Sequence, residues 1–236
     1  MRREKNYMEL MRRDVNRILE LKKNGSYDEL TEFLIPYPYE GSLFERSRAE
    51  IIEELEPFLG KEEAEATADD EAPETAETEE LGFRTAFALD WGMKYPEIET
   101  ADFLRAETAV GRDAGMIFET AKRNLSGRNF EAVPDFSGKS EVPTLLLRYS
   151  RRTVPDCSAS IIFDDDALGK VCVTMGSEIA VCPYYREAVV ATSRETFEKI
   201  GKKEFLKAAE GRRLEEFRRF SDRTFLFDGK RMIEAK

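Results

Sequence analysis

The chain has 236 residues, of which 41% are hydrophobic, 36% charged and 11% aromatic, enough to bury a core in one or two globular domains. Its 48 acidic and 37 basic side chains leave a formal charge of −11, which argues against binding nucleic acid or anionic membranes by general attraction. It has no histidine, and this excludes Ser-His and Cys-His nucleophile pairs, histidine metal ligands, haem ligation through histidine and a histidine pH switch.

Residues 1–60 read as a helical N-terminal segment. Met8, Met11, Val15, Ile18 and Leu19 recur at three-to-four spacing, which places one apolar stripe on a helix ending at Asn24-Gly25. The first residues hold no uninterrupted apolar stretch of the signal-peptide kind, and no segment reaches membrane-spanning length, so a cytoplasmic protein is expected. Ser26 and Glu29 form a capping-box signal for a short second helix through Leu30, Phe33 and Leu34, stopped by Pro36. Pro36 to Gly41 reads as a loop. Ser42 and Glu45 repeat the cap signal for a third helix with Phe44, Ile51, Ile52, Leu55 and Phe58 on its buried side. Three helices in so short a stretch make a marginal core, so this piece should either pack on the rest of the chain or dock a partner.

Residues 61–80 carry ten acids against one lysine, no apolar residue larger than alanine, and Pro73 in the middle. Such a segment buries too little surface to offset its ordering entropy and reads as an acidic disordered linker. A helix is the competing reading of its Ala/Glu content, weakened by Pro73 and the threonines.

Residues 81–236 mix the two periodicities and predict an α+β domain, with a small mixed or antiparallel sheet and packed helices. Residues 83–90 suit a strand, and Ala114, Ile117, Phe118, Ala121 and Leu125 form a helical stripe over 112–125. A Gly/Pro/Asn-rich loop is expected over 126–141, then a strand over Val142–Tyr149 and another over Ala159–Phe163. Asp164 to Asp166 look like a helix start for 166–175. Glu178–Pro183 and Ala188–Thr192 suggest an antiparallel hairpin closed by a four-residue loop, Tyr184-Tyr185-Arg186-Glu187. Ser193 caps a helix through Phe197 and Ile200, whose stripe continues through Phe205, Leu206, Leu214 and Phe217 with interruptions at Gly201 and Gly211. Asp228-Gly229, between two short apolar runs, signals a last hairpin. The three cysteines, Cys157, Cys172 and Cys182, lie in apolar runs without a Cys-x-x-Cys pair and read as reduced small hydrophobes.

The order of elements in residues 81–228 resembles an uncharacterised bacterial domain-of-unknown-function family. Leu145–Tyr149 takes the place of its YVLTN-like strand, Ser158–Phe163 that of a strand containing Gly-Ala-Ser, and Ala167–Met175 that of a short helix. Gly176–Pro183 corresponds to the strand entering a turn with a PSSIHE-like motif, where Tyr184, Tyr185 and Arg186 replace two serines and the histidine. Residues 115–125, with Phe118, Ala121 and Asn124, are similar to the family's helix ending in A-x-x-N, and Ser221–Asp228 resembles its late LSDxVYxYD strand. The resemblance implies a fold and supplies no mechanism.

Three clusters carry possible chemistry. Asp164, Asp165 and Asp166 offer hard oxygens for magnesium or calcium, but successive residues point in different directions, and acids at a helix N-terminus are the simpler reading. Tyr184, Tyr185, Arg186 and Glu187 have the composition of a recognition hot spot, the alternative being tyrosines that cover an apolar edge. Arg212, Arg213, Arg218 and Arg219, with Lys199, Lys202, Lys203 and Lys207, form the basic concentration, interleaved with Glu204, Glu210, Glu215 and Glu216 as on a solvated helix face.

These readings predict a non-catalytic protein–protein interaction or accessory module with an unknown protein partner, no cofactor, no metal, no nucleic acid and no membrane. The alternatives are an acidic nucleic-acid-mimic inhibitor and a carboxylate-based, metal-dependent enzyme built on Asp164 to Asp166 or Glu187. Charge divides unevenly: −3 over 1–60, −9 over 61–80 and +1 over 81–236, which reads as two nearly neutral pieces joined by an acidic tether.

Overall fold

A computed structural model describes residues 2–40, 75–94, 101–134, 142–150, 155–211 and 217–235. The expected third helix, most of the acidic linker, and the arginines at 212 and 213 lie outside the described residues. Helix α1 spans Arg2–Asn24, and α2, Tyr27–Leu30, follows at the predicted capping box, where the Ser26 N–H donates to Glu29 Oε2 at 3.1 Å. One turn of tighter helix over Thr31–Phe33 then leads straight into a strand, β1, Leu34–Tyr39.

That strand corrects the loop expected from Pro36 onward. Pro36 and Pro38 are two residues apart, so both missing N–H groups fall on the same side of the strand, the side away from Phe83–Asp90, its one ladder partner among the described residues. The free side is closed by side chains: Asn124 Nδ2 donates to the carbonyls of Thr31 (2.7 Å) and Leu34 (2.8 Å), and the Ser160 hydroxyl donates to Pro36 O. Every residue of β1 is buried.

The end of the acidic segment also departs from expectation. Glu77–Glu80 form a strand, β2, instead of tether, and pair antiparallel with β3, Phe83–Asp90. The two residues between, Leu81 and Gly82, both have positive φ (52° and 73°), the requirement of the tight hairpin turn that matches strand twist. Strand β4, Ala101–Phe103, pairs with the far half of β3, completing a four-stranded antiparallel sheet around β3. One strand of this sheet therefore comes from residues 1–60 and one from 61–80.

Helix α3, Ala114–Arg123, is capped by Asp113, whose carboxylate accepts the Met116 N–H at 2.9 Å, and buries Ile117, Phe118 and Ala121. Strand β5, Phe130–Pro134, occupies part of the expected 126–141 loop and pairs with β6, Leu145–Tyr149. The strand expected over Ala159–Phe163 is part of a tight helical stretch, Pro155–Phe163. Its polar groups are met outside any ladder: the Ser158 hydroxyl accepts the Tyr149 N–H at 3.0 Å, and the Ala159 N–H donates to Arg186 O at 2.9 Å. Ala159 and Ile161 to Phe163 are buried, so the segment acts as a plug between the two sheets.

Helix α4, Asp165–Met175, starts at the predicted aspartates. The predicted hairpin forms from β7, Ile179–Tyr185, and β8, Ala188–Ser193, but its loop is two residues long, Arg186 and Glu187, because both tyrosines belong to β7. Ser193 caps α5, Arg194–Gly211, which breaks at Gly201 (φ 77°, ψ 165°). The last hairpin, β9 (Phe225–Phe227) and β10 (Met232–Glu234), closes where Asp228 accepts the N–H groups of Lys230 and Arg231. The second sheet is antiparallel in the order β10-β9-β7-β8-β6-β5, giving an α+β fold.

Both faces of that sheet are covered. Leu147, Tyr149, Ile179, Val181, Val189, Phe225 and Phe227 point into a core shared with the four-stranded sheet, α3 and α4. Leu146, Ala180, Cys182 and Val190 meet Phe197, Phe205 and Ala209 of α5 on the other face. Double-sided burial explains why these strands read as continuous apolar runs rather than alternating ones. No described helix is long and apolar enough to cross a membrane.

Candidate functional site

Tyr184 and Tyr185 were singled out for recognition, yet they are 5% and 1% exposed. The Tyr185 hydroxyl donates to the carbonyls of Ala209 (3.0 Å) and Glu210 (3.3 Å), meeting acceptors that the end of α5 leaves open. Its ring lies edge-on to Tyr184 at 4.9 Å and tilted against Phe217 at 5.3 Å. Burial raises the Tyr184 phenol, and the Arg219 guanidinium stacks over that ring at 5.3 Å. At the turn itself, Glu187 takes Arg218 Nε at 3.0 Å and the Arg218 N–H at 2.9 Å, while the Arg186 N–H donates to Arg218 O. The quartet thus clamps the hairpin to residues 217–221 and to the Pro155–Phe163 plug.

The three aspartates diverge. Asp164 is buried: its Oδ1 accepts the Ala167 N–H as the α4 cap, and its Oδ2 accepts the Tyr149 hydroxyl, each at 3.0 Å. Burial raises this carboxyl above its ordinary range, against the lowering effect of those hydrogen bonds. Asp165 turns outward to Lys122 Nζ at 2.7 Å, and Asp166 is exposed. Among the described residues, no three cysteine or carboxylate side chains converge as a metal would require. Cys182, fully buried, has its thiol pushed up to about 12 by desolvation, which leaves it protonated and unreactive at neutral pH.

Two polar constellations were not visible in the sequence. At the end of β3, Asp90 pairs with Arg128 across 2.5 Å, both buried; Asp90 Oδ1 also accepts the Gly92 N–H, and Arg128 Nε donates to Asn124 O. Arg128 Nη2 is buried without a partner, and the guanidinium sits 5.8 Å from the Tyr149 ring centre. This ion pair, from β3 to the connection before β5, and the Tyr149–Asp164 pair, from β6 to the start of α4, are both closed off from solvent and offer no surface to a substrate. The second constellation crosses the smaller sheet. Glu77 of β2 accepts the Tyr39 hydroxyl and Arg84 Nη2 (2.9 and 3.0 Å), while Arg84 stacks over the Tyr39 ring at 4.9 Å. Burial alone would raise the Glu77 carboxyl, but these donors outweigh it and hold it low; burial and the Glu77 carboxylate push the Tyr39 phenol up to about 12.

The remaining candidate is a surface on α1. Between positions 12 and 24 only Ile18 and Leu21 are buried. Val15 and Leu19, one turn apart, are 41% and 55% exposed. Sequence periodicity placed Val15, Ile18 and Leu19 on one buried stripe. The helix presents Ile18 and Leu21 inward, which leaves Val15 and Leu19 beside the buried stripe and partly exposed. The signal was present in Leu21, which the stripe omitted. Searches against family models, curated proteins and solved structures each found no match to this chain.

Proposed function

We propose that the protein is a non-catalytic cytoplasmic α+β module that works through protein–protein contact, with the outward face of α1 as its docking element. The observation that carries this reading is the exposed Val15–Leu19 pair on a helix anchored to the body by Ile18 and Leu21. Apolar side chains at i and i+4 on an anchored helix form the minimal face for helix-in-groove or helix-on-helix recognition. The internal engagement of Asp164, Tyr185, Glu187 and Arg128 supports the same reading, since each of these four side chains makes a hydrogen bond or ion pair within the fold.

The test is affinity capture of the tagged full-length chain from its native host, compared with the Val15→Glu/Leu19→Glu variant. A stoichiometric protein partner that is lost in the variant, with unchanged folding, is expected. A partner retained by this variant but lost on Arg186→Glu would move the interface to the hairpin turn and overturn the assignment.

A further inference from the structure

The charge on α1 runs opposite to that of the chain. Residues 2–24 carry eight basic and four acidic side chains, a net +4 on a protein of −11. Two of these cations are committed inside the molecule: Arg17 to Glu20 (3.0 Å) and Glu29 (3.3 Å), and Lys22 to Asp102 (2.7 Å). Arg12 and Lys23 are exposed and form no ion pair among the described residues. At about 100° per residue, Arg12, Val15, Leu19 and Lys23 lie within an arc of about 80°. The eleven steps from Arg12 to Lys23 span about 16 Å, roughly three turns.

We propose that this face docks an acidic amphipathic helix of a partner protein, two apolar side chains of which meet Val15 and Leu19 while carboxylates meet Arg12 and Lys23. The inference rests on the interaction reading above and specifies its occupant. Charge complementarity selects the partner's sign, because like charges brought together at an interface are strongly disfavoured. A second copy of α1 would set basic residues against basic residues. A nucleic acid or anionic membrane extends well beyond the ~16 Å of this face and brings its charge against other surfaces of a −11 chain, whereas a short acidic helix matches the length of the face.

The probes are two labelled synthetic peptides of three heptads, with Leu at both core positions and either Glu or Lys at the flanking positions, titrated into the full-length protein by fluorescence anisotropy. The Glu peptide is expected to bind at least tenfold more tightly than the Lys peptide. Arg12→Glu/Lys23→Glu should reverse that preference, and Val15→Glu/Leu19→Glu should abolish binding of the Glu peptide; circular dichroism checks that each variant is folded. Equal affinities, no binding, a preference unchanged by the charge reversal, or binding to phosphatidylserine vesicles in place of the peptide would overturn the proposal. If the peptides fail while affinity capture still yields a partner that depends on Val15 and Leu19, the occupant is wrong and the interaction reading stands. If both fail, both fall.

Discussion

The six-stranded sheet is covered on both faces by apolar side chains, from Leu147 and Phe227 on one side to Cys182 and Phe205 on the other. The four-stranded sheet shares one core with it but is completed by polar contacts: Asn124 and Ser160 close the proline-bearing edge of β1, Glu77 joins Tyr39 to Arg84, and Arg128 holds Asp90. The difference shows two ways of specifying a strand. Apolar runs specify one by burial alone, whereas an acidic or proline-rich segment becomes a strand only when distant side chains supply its partners.

Substitutions can break this contrast. Phe227 is fully buried in the larger sheet, so Phe227→Ala should cost about 3–5 kcal/mol in urea unfolding; a cost under about 1 kcal/mol would mean that the sheet does not depend on its apolar faces. For the polar-tied sheet, Arg128→Ala leaves Asp90 charged and buried, and a comparable loss of about 3–5 kcal/mol is expected. The double variant Asp90→Asn/Arg128→Met should recover part of it, and failure to recover would deny that the isolated charge is the cause. Gly82→Ala forces a side chain into positive φ beside Arg223, which donates to Gly82 O and stacks over Phe83 at 5.0 Å. A loss of at least about 1–2 kcal/mol is expected, from backbone conformation and from displacement of the Arg223 guanidinium, which occupies the place of the added Cβ.

Asp164 sharpens the comparison through pH. Its carboxyl is raised in the folded protein, so the folded state holds the proton more tightly than the unfolded chain does. The stability this confers is fully present below the unfolded value near 3.8 and is lost as pH rises through the raised folded value. Asp164→Asn cannot titrate; its stability relative to wild type should therefore improve between pH 3.5 and pH 7, as read by urea midpoints at each pH. A relative loss over that interval would show that the charged carboxylate is the favoured form. The smallest effect is expected on α1, where Val15→Glu and Leu19→Glu should each change stability by no more than about 0.5 kcal/mol. A larger loss would mean that these side chains are buried against the body.

The sequence made the helices legible where caps coincided with periodicity, as at Ser26 with Glu29, at Asp164 and at Ser193, and the hairpins where apolar runs flanked turn residues, as at Asp228-Gly229. It hid β1, because two prolines signal a loop unless they share the unpaired side of an edge strand. It hid β2, because the acidic composition of Glu77–Glu80 says nothing of Tyr39, which comes from a strand far earlier in the chain, or of Arg84 across the hairpin. Ala159–Phe163 misled for the opposite reason: a short apolar run fits a buried strand or a buried helical turn equally, and the contacts of Ser158 and Ala159 decide between them. At the hairpin, Tyr-Tyr-Arg-Glu has the composition of a binding loop, but placing its two tyrosines in β7 turns recognition chemistry into core packing and a cap for α5. The α1 face is not legible in the Met8–Leu19 periodicity because one residue, Leu21, rotates the buried stripe away from Val15 and Leu19.

The most direct test places a photo-crosslinking amino acid at position 19 or at position 186 of the full-length chain in its native host. A discrete protein adduct from position 19, absent when Val15→Glu is added, together with none from position 186, is the predicted result. An adduct from position 186 with none from position 19 would contradict the account.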